Sequence, residues 1–177
     1  MKTSNVELIK ELRNSTGAGV NDCKKALEET KGDKEKALEI LRKKGLDIAK
    51  NKAGRVAKQG RIESYIHSGS KLGVLVEVNC ETDFVARNEE FIRFTKDVAM
   101  QIAASNPLYV DFDSIPAAQK HKIKDDLELF RKQHCLLDQP FIKDPVKSVN
   151  DYLVSIVAKV RENILIRRFT RFSLGEE

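Results

Sequence analysis

Few of the 177 residues are of types that do covalent chemistry, and their spacing decides what they could do. His67, His121 and His134 are scattered along the chain, which suits neither a nucleophile with its base nor a set of metal ligands. His134 falls on an apolar helical stripe and reads as a core histidine. Cys23, Cys80 and Cys135 are odd in number, lie more than fifty residues apart and form no CxxC pair. They read as small, buried, reduced side chains, with neither a zinc site nor a disulfide framework. The carboxylate pairs Glu89-Glu90 and Asp125-Asp126 are adjacent, so on a helix they diverge. The segment STGAGVNDCKK contains G-x-G, but a phosphate loop needs a preceding strand and either GxxxxGK[ST] or GxGxxG. Here the preceding stretch has a helical pattern, and Asp22 stands where a third glycine is required. The glycines read as a helix stop and a turn. An enzyme is not expected, nor is a bound cofactor or metal.

Two stretches could act by binding. RENILIRRFTRF interleaves arginine with aromatics, as stacking platforms for single-stranded nucleic acid do. That reading makes a small RNA-binding protein using Arg167, Arg168 and Arg171. The favoured alternative is a strand whose arginines pair with neighbouring carboxylates, since no RNP motif accompanies it. The second stretch is CETDFVAR, residues 80–87. It joins an alternating strand pattern to an amphipathic helix pattern. Its Phe84, next to Asp83, is either a core residue at that corner or an apolar probe for a partner. Periodicity leans toward the core reading.

These stretches need a scaffold, and composition allows one. With 41% hydrophobic and 33% charged residues, a charge of +5, a pI near 9.0 and a mean hydropathy of −0.43, the chain reads as soluble and globular. No apolar run approaches the roughly 20 residues of a membrane span. The N-terminal MKTSNVELIKELRN has no signal-peptide core, so a cytosolic location is expected, or a plastid stroma if the organelle encodes the chain.

Three short helices are predicted in residues 1–45. Ser4 and Glu7 form an S-x-x-E capping box for the first, with Leu8, Ile9 and Leu12 as its apolar stripe. The second covers residues 21–31 and stops at Gly32. Asp33 caps the third, which ends before Gly45. Residues 46–60 are small and basic and read as a connecting helix or linker. Residues 61–177 then read as an α+β domain. Residues 61–67 and 72–80 form an antiparallel hairpin, the second strand placing Leu72, Val74, Val76, Val78 and Cys80 on one face. Asn88 caps a helix that runs to Asn106-Pro107. A charged helix over residues 117–135, a loop DQPFIKDP, and a helix capped by Ser148 and Asp151 follow. A last strand carries Ile164, Ile166, Arg168 and Thr170 on one face. The fold class is α+β: an N-terminal three-helix module, then a small antiparallel three-stranded sheet packed with helices.

Two stretches add a resemblance to this reading. LRNSTGAGVNDCKKAL (residues 12–27) and VEVNCETDFVARNEEF (residues 76–91) look like the two signature segments of the bacterial elongation factor Ts family. CLLDQPFIKDP and RENILIRRFTRF are similar to that family too, so the resemblance spans almost the whole chain. The length matches the short form, with one copy of the core subdomain. The resemblance implies a non-enzymatic guanine nucleotide exchange factor for elongation factor Tu, in its GDP-bound and nucleotide-free states. It implies a ubiquitin-associated-like helical module that docks through Arg13, Val20, Asn21 and Lys24. Asn21 departs from the family pattern, which commonly has a bulky apolar residue there. It further implies that the TDFV loop, Thr82, Asp83, Phe84 and Val85, reaches the partner's magnesium and phosphate site. A homodimer is implied as well, with no direct contact to nucleic acid or membrane.

Overall fold

A computed structural model describes residues 5–121, 123 and 126–176. The chain divides into two compact units: Met1–Val56 with Val154–Asn163, and Ala57–Leu153 with Ile164–Glu177.

In the first unit α1 (Asn5–Thr16), α2 (Val20–Glu29) and α3 (Lys34–Lys52) pack around Leu12, Cys23, Ala26, Leu27, Ala37 and Leu41. Ser4 of the predicted capping box lies outside the described residues. Gly32 closes α2 as predicted: its N–H donates to Leu27 O at 2.8 Å, with Lys31 and Gly32 both at positive φ. Asp33 caps α3 by accepting from Lys36 N at 3.1 Å. Gly45 does not stop α3, contrary to the sequence reading. It is buried inside the helix, where an added Cβ would lie 3.6 Å from Val154 Cγ1 and 3.9 Å from Ala158 Cβ. The missing side chain lets a helix approach closely there, and α3 runs on to Lys52 through much of the basic stretch.

The second unit is built on an antiparallel sheet of order β1-β2-β5, from β1 (Gln59–Ile66), β2 (Leu72–Cys80) and β5 (Leu165–Ser173). Val74, Val76, Val78 and Cys80 of β2 are buried on its inner face. Over that face lies α5 (Glu89–Ser105), which buries Phe91, Phe94, Val98 and Ile102 completely. The α+β class is therefore the one expected. The shorter elements are α4 (Asp83–Ala86), α6 (Ala117–Lys120), α7 (Leu127–His134), β3 (Pro140–Phe141), β4 (Asp144–Ser148) and α8 (Val149–Val160).

Three segments differ from the sequence reading. The predicted helix over residues 117–135 is only α6 and α7 among its described residues. Asp126 starts α7 afresh, its carboxylate accepting from Glu128 N at 2.9 Å. Cys135 ends α7 by bridging to Tyr109. DQPFIKDP is not a plain loop, because β3 and β4 pair as a small antiparallel hairpin. Prolines 140 and 145 hid it, since proline is tolerated only at such edges. The last strand carries a bulge: Glu77 faces Arg168 but Val78 faces Ile166, so Arg167 is left over. The bulge reverses the alternation. Ile164 and Ile166 are buried as predicted, but beyond them Phe169 and Arg171 turn inward, while Arg168 and Thr170 turn out.

Candidate functional site

At the end of β2 the chain makes a corner closed by short-range hydrogen bonds and packed against β1 and β2. Cys80 Sγ donates to Thr82 O at 3.1 Å. The Thr82 hydroxyl accepts from Val85 N at 3.4 Å, which makes Thr82 the N-cap of α4. Within the turn, Ala86 N donates to Thr82 O and Arg87 N to Asp83 O, both at 3.2 Å, and Asn88 N donates to Val85 O at 3.0 Å. Asn88 then caps α5 through Glu90 N at 2.8 Å. The segment expected as a loop is thus one capped helical turn set between β2 and α5.

The turn sorts its side chains. Ala86 is buried at 8% exposure and Thr82, Asp83 and Val85 are half-buried, whereas Phe84 is 83% exposed. Phe84 closes no core. Its neighbour Asp83 sits 3.2 Å from the Arg87 guanidinium, one helical turn along. That pair was readable from its i, i+4 spacing but was missed.

Further along α5 the packing is polar and deep. Asp97 on α5 is buried, and its carboxylate accepts from Lys143 Nζ at 2.6 Å and from Tyr152 Oη at 3.0 Å. Burial and the Asp97 charge push the Tyr152 hydroxyl pKa well up, so it stays a donor. Gln101, fully buried, accepts from Ile142 N at 2.8 Å and donates to Pro140 O at 3.1 Å. These bonds fix α5 against the β3–β4 hairpin and α8.

In the first unit the other predicted residues gather around the α1–α2 turn. Arg13 lies in the last turn of α1, and Val20, Asn21 and Lys24 occupy the first turns of α2; all are exposed, Lys24 with Glu28 at 3.8 Å. Gly17, at φ +70°, ends α1 by donating from its N–H to Arg13 O at 2.9 Å, the stop-and-turn reading of the glycines. Cys23 is buried, and its Sγ donates to Ala18 O at 3.9 Å. Asp22 was passed over as a substitute for glycine, yet its carboxylate meets Lys44 Nζ at 2.6 Å and Arg161 Nη2 at 3.7 Å. The Lys44 hydrogen bond holds the Asp22 carboxyl below its ordinary range against the opposing effect of burial.

All three cysteines are buried and outside any disulfide. His134 is half-buried with its ring 4.6 Å from that of Phe130, rather than a core residue. Among the described residues no cluster of His, Cys, Asp or Glu could hold a metal ion, and no helix is long and apolar enough to cross a membrane. On β5, Arg168 Nε donates to Glu77 at 2.7 Å and Arg171 Nη1 to Glu176 at 2.7 Å, the paired-arginine arrangement.

Known proteins resemble this chain along its length. Residues 4–128 match the family model described as elongation factor TS. Proteins named elongation factor Ts from a Thermoanaerobacter species and from Carboxydothermus hydrogenoformans are each 50% identical over 192 aligned positions. Those alignments cover 96% of this chain and 94% and 88% of the relatives. One from an Anaeromyxobacter species is 50% identical over 99% of this chain and 90% of its own length. The chain belongs to the elongation factor Ts family of translation elongation factors.

Proposed function

We propose that the protein is a guanine nucleotide exchange factor for elongation factor Tu, with Asp83 and Phe84 as its working residues. The observation that carries this reading is Phe84 at 83% exposure on a capped helical turn. Leaving a phenylalanine in water forgoes roughly 1.5–3 kcal/mol of burial, which docking into a partner pocket recovers. Exchange needs no covalent step. A factor that binds nucleotide-free Tu more tightly than GDP-bound Tu weakens GDP affinity by the same ratio. Phe84 wedges into the partner beside its nucleotide site, and Asp83 perturbs the hydration and charge around the bound magnesium. Thr82 and Val85 hold the turn, while Arg13, Val20, Asn21 and Lys24 dock the helical module. The protein acts in the cytosol, without catalysing a reaction of its own and without contacting nucleic acid or membrane.

The same reading includes a homodimer. The outer face of the β1-β2-β5 sheet carries Ile62, Ile66, Leu75 and Phe172, all 46% exposed or more and aligned by the strand register. A second copy laid on this face would cover them. Leu75→Asp is expected to leave a folded monomer by light scattering; an unchanged dimer would place the interface elsewhere.

The deciding experiment is release of labelled GDP from elongation factor Tu with wild type and Phe84→Ala. The variant is expected to lose at least about 30-fold in stimulated release, the weight of a hot-spot residue. Its melting temperature is expected to match wild type. An RNA-binding protein would instead bind RNA with affinity falling steeply in salt, by about 0.7 log units per phosphate for each tenfold rise.

A further inference from the structure

The turn that carries Val20 and Asn21 is held by residues from the far end of the sequence. Gly17 lies so close to α8 that an added Cβ would stand 2.9 Å from Ser155 O. Asn163, buried at 5% exposure, donates to Arg55 O at 2.7 Å just past α3. Between these two ties lies Arg161, with φ at +63°. Its N–H donates to Val157 O at 2.9 Å, so Arg161 ends α8 in the left-handed conformation where glycine is the ordinary choice. A side chain kept at such a position calls for a use. Here the guanidinium reaches Asp22 at 3.7 Å, and Asp22 lies in the first turn of α2, adjacent to Asn21.

We infer that Arg161 is a positioning residue for the docking turn. Through Asp22, which Lys44 grips from α3, it fixes the first turn of α2 and so the directions of Val20, Asn21 and Lys24. The inference rests on the proposed docking of that turn on elongation factor Tu. Arg161 itself touches no partner. Its removal is expected to loosen the docking turn and weaken encounter with Tu, while the Asp83–Phe84 step proceeds as before.

Arg161→Gly separates positioning from folding, because glycine relieves the left-handed backbone as it deletes the guanidinium. In exchange assays with the full-length protein, KM for Tu·GDP is expected to rise about fivefold, the upper range for a partly exposed ion pair. The kcat is expected to stay within about twofold and the melting temperature not to fall. Arg161→Lys, which keeps the charge, is expected to recover most of the loss. Combining Arg161→Gly with Asp22→Asn is expected to add little beyond Asp22→Asn alone, since that change already cuts the Arg161 pair together with the Lys44 one. An unchanged KM in Arg161→Gly overturns the inference. So does a joint fall in kcat and melting temperature, which would mark a merely structural residue. Wild-type protein that fails to accelerate GDP release would instead overturn the proposed function.

Discussion

The corner at residues 82–88 and the α1–α2 turn are both short segments that present exposed side chains, but they draw differently on distant side chains. Bonds between residues at most four apart, from Thr82 to Val85 and Asp83 to Arg87, shape the corner, and its turn packs against β1 and β2. The α1–α2 turn has local bonds too, Gly17 to Arg13 and Cys23 to Ala18. It adds ion pairs to Lys44 of α3 and Arg161 at the end of α8, with close packing of Gly17 on Ser155. A locally closed turn keeps its shape wherever its two flanking elements are formed. A turn held from afar has its shape only after the whole unit has assembled.

Substitutions can break this contrast. The largest effect is expected from Gly17→Ala, which adds a Cβ 2.9 Å from Ser155 O at a φ of +70°. A loss of about 2 kcal/mol is expected in thermal or denaturant unfolding. A neutral result would mean that α8 does not hold the turn. Next comes Asp22→Asn, expected to cost up to about 1 kcal/mol near neutral pH. Because the Asp22 carboxyl titrates below its ordinary 3.8, the wild type keeps this contribution above that value. It loses the contribution as pH falls through the lowered folded value, where the substituted protein shows no such loss. Equal acid sensitivity in both proteins would remove the Lys44 and Arg161 contacts from the account.

Thr82→Ala comes third, with a cap loss of about 0.5–1 kcal/mol. Its effect is expected to stay local, seen as faster amide exchange at Val85 and Ala86 with the α1–α2 turn unchanged. Changes spreading to residues 17–24 would contradict the local closure of the corner. The smallest stability effect is expected from Phe84→Ala, within about 0.5 kcal/mol of wild type, since the ring touches so little.

The same contrast explains what could be read from sequence. The Asn88 cap, the Ser148–Asp151 pair and the β2 alternation all depend on residues within a few positions, and each is found as read. The corner between a strand and a helix was legible for the same reason, though its single helical turn was taken for a loop. Most of what failed depends on distant partners, the local exceptions being the Asp126 cap and the Asp83–Arg87 pair. Gly45 reads as a helix stop until Val154 and Ala158 are seen against it. The Arg167 bulge is set by pairing with β2, and nothing in ILIRRFTRF announces it. Asp22 and Arg161 meet only in the folded unit. Phe84 lay between these cases: its position was readable, but its exposure required knowing that Ala86, two residues on, takes the inward place.

The central claim is that Phe84 is a tool for a partner and no part of this protein's core. Its most direct test is the rate of labelled GDP release from elongation factor Tu, driven by wild type or Phe84→Ala, with unfolding curves taken on the same samples. The expected result is coincident unfolding with stimulated release reduced at least about 30-fold. Undiminished release, or a lower rate that simply follows a loss of folded protein, would contradict it.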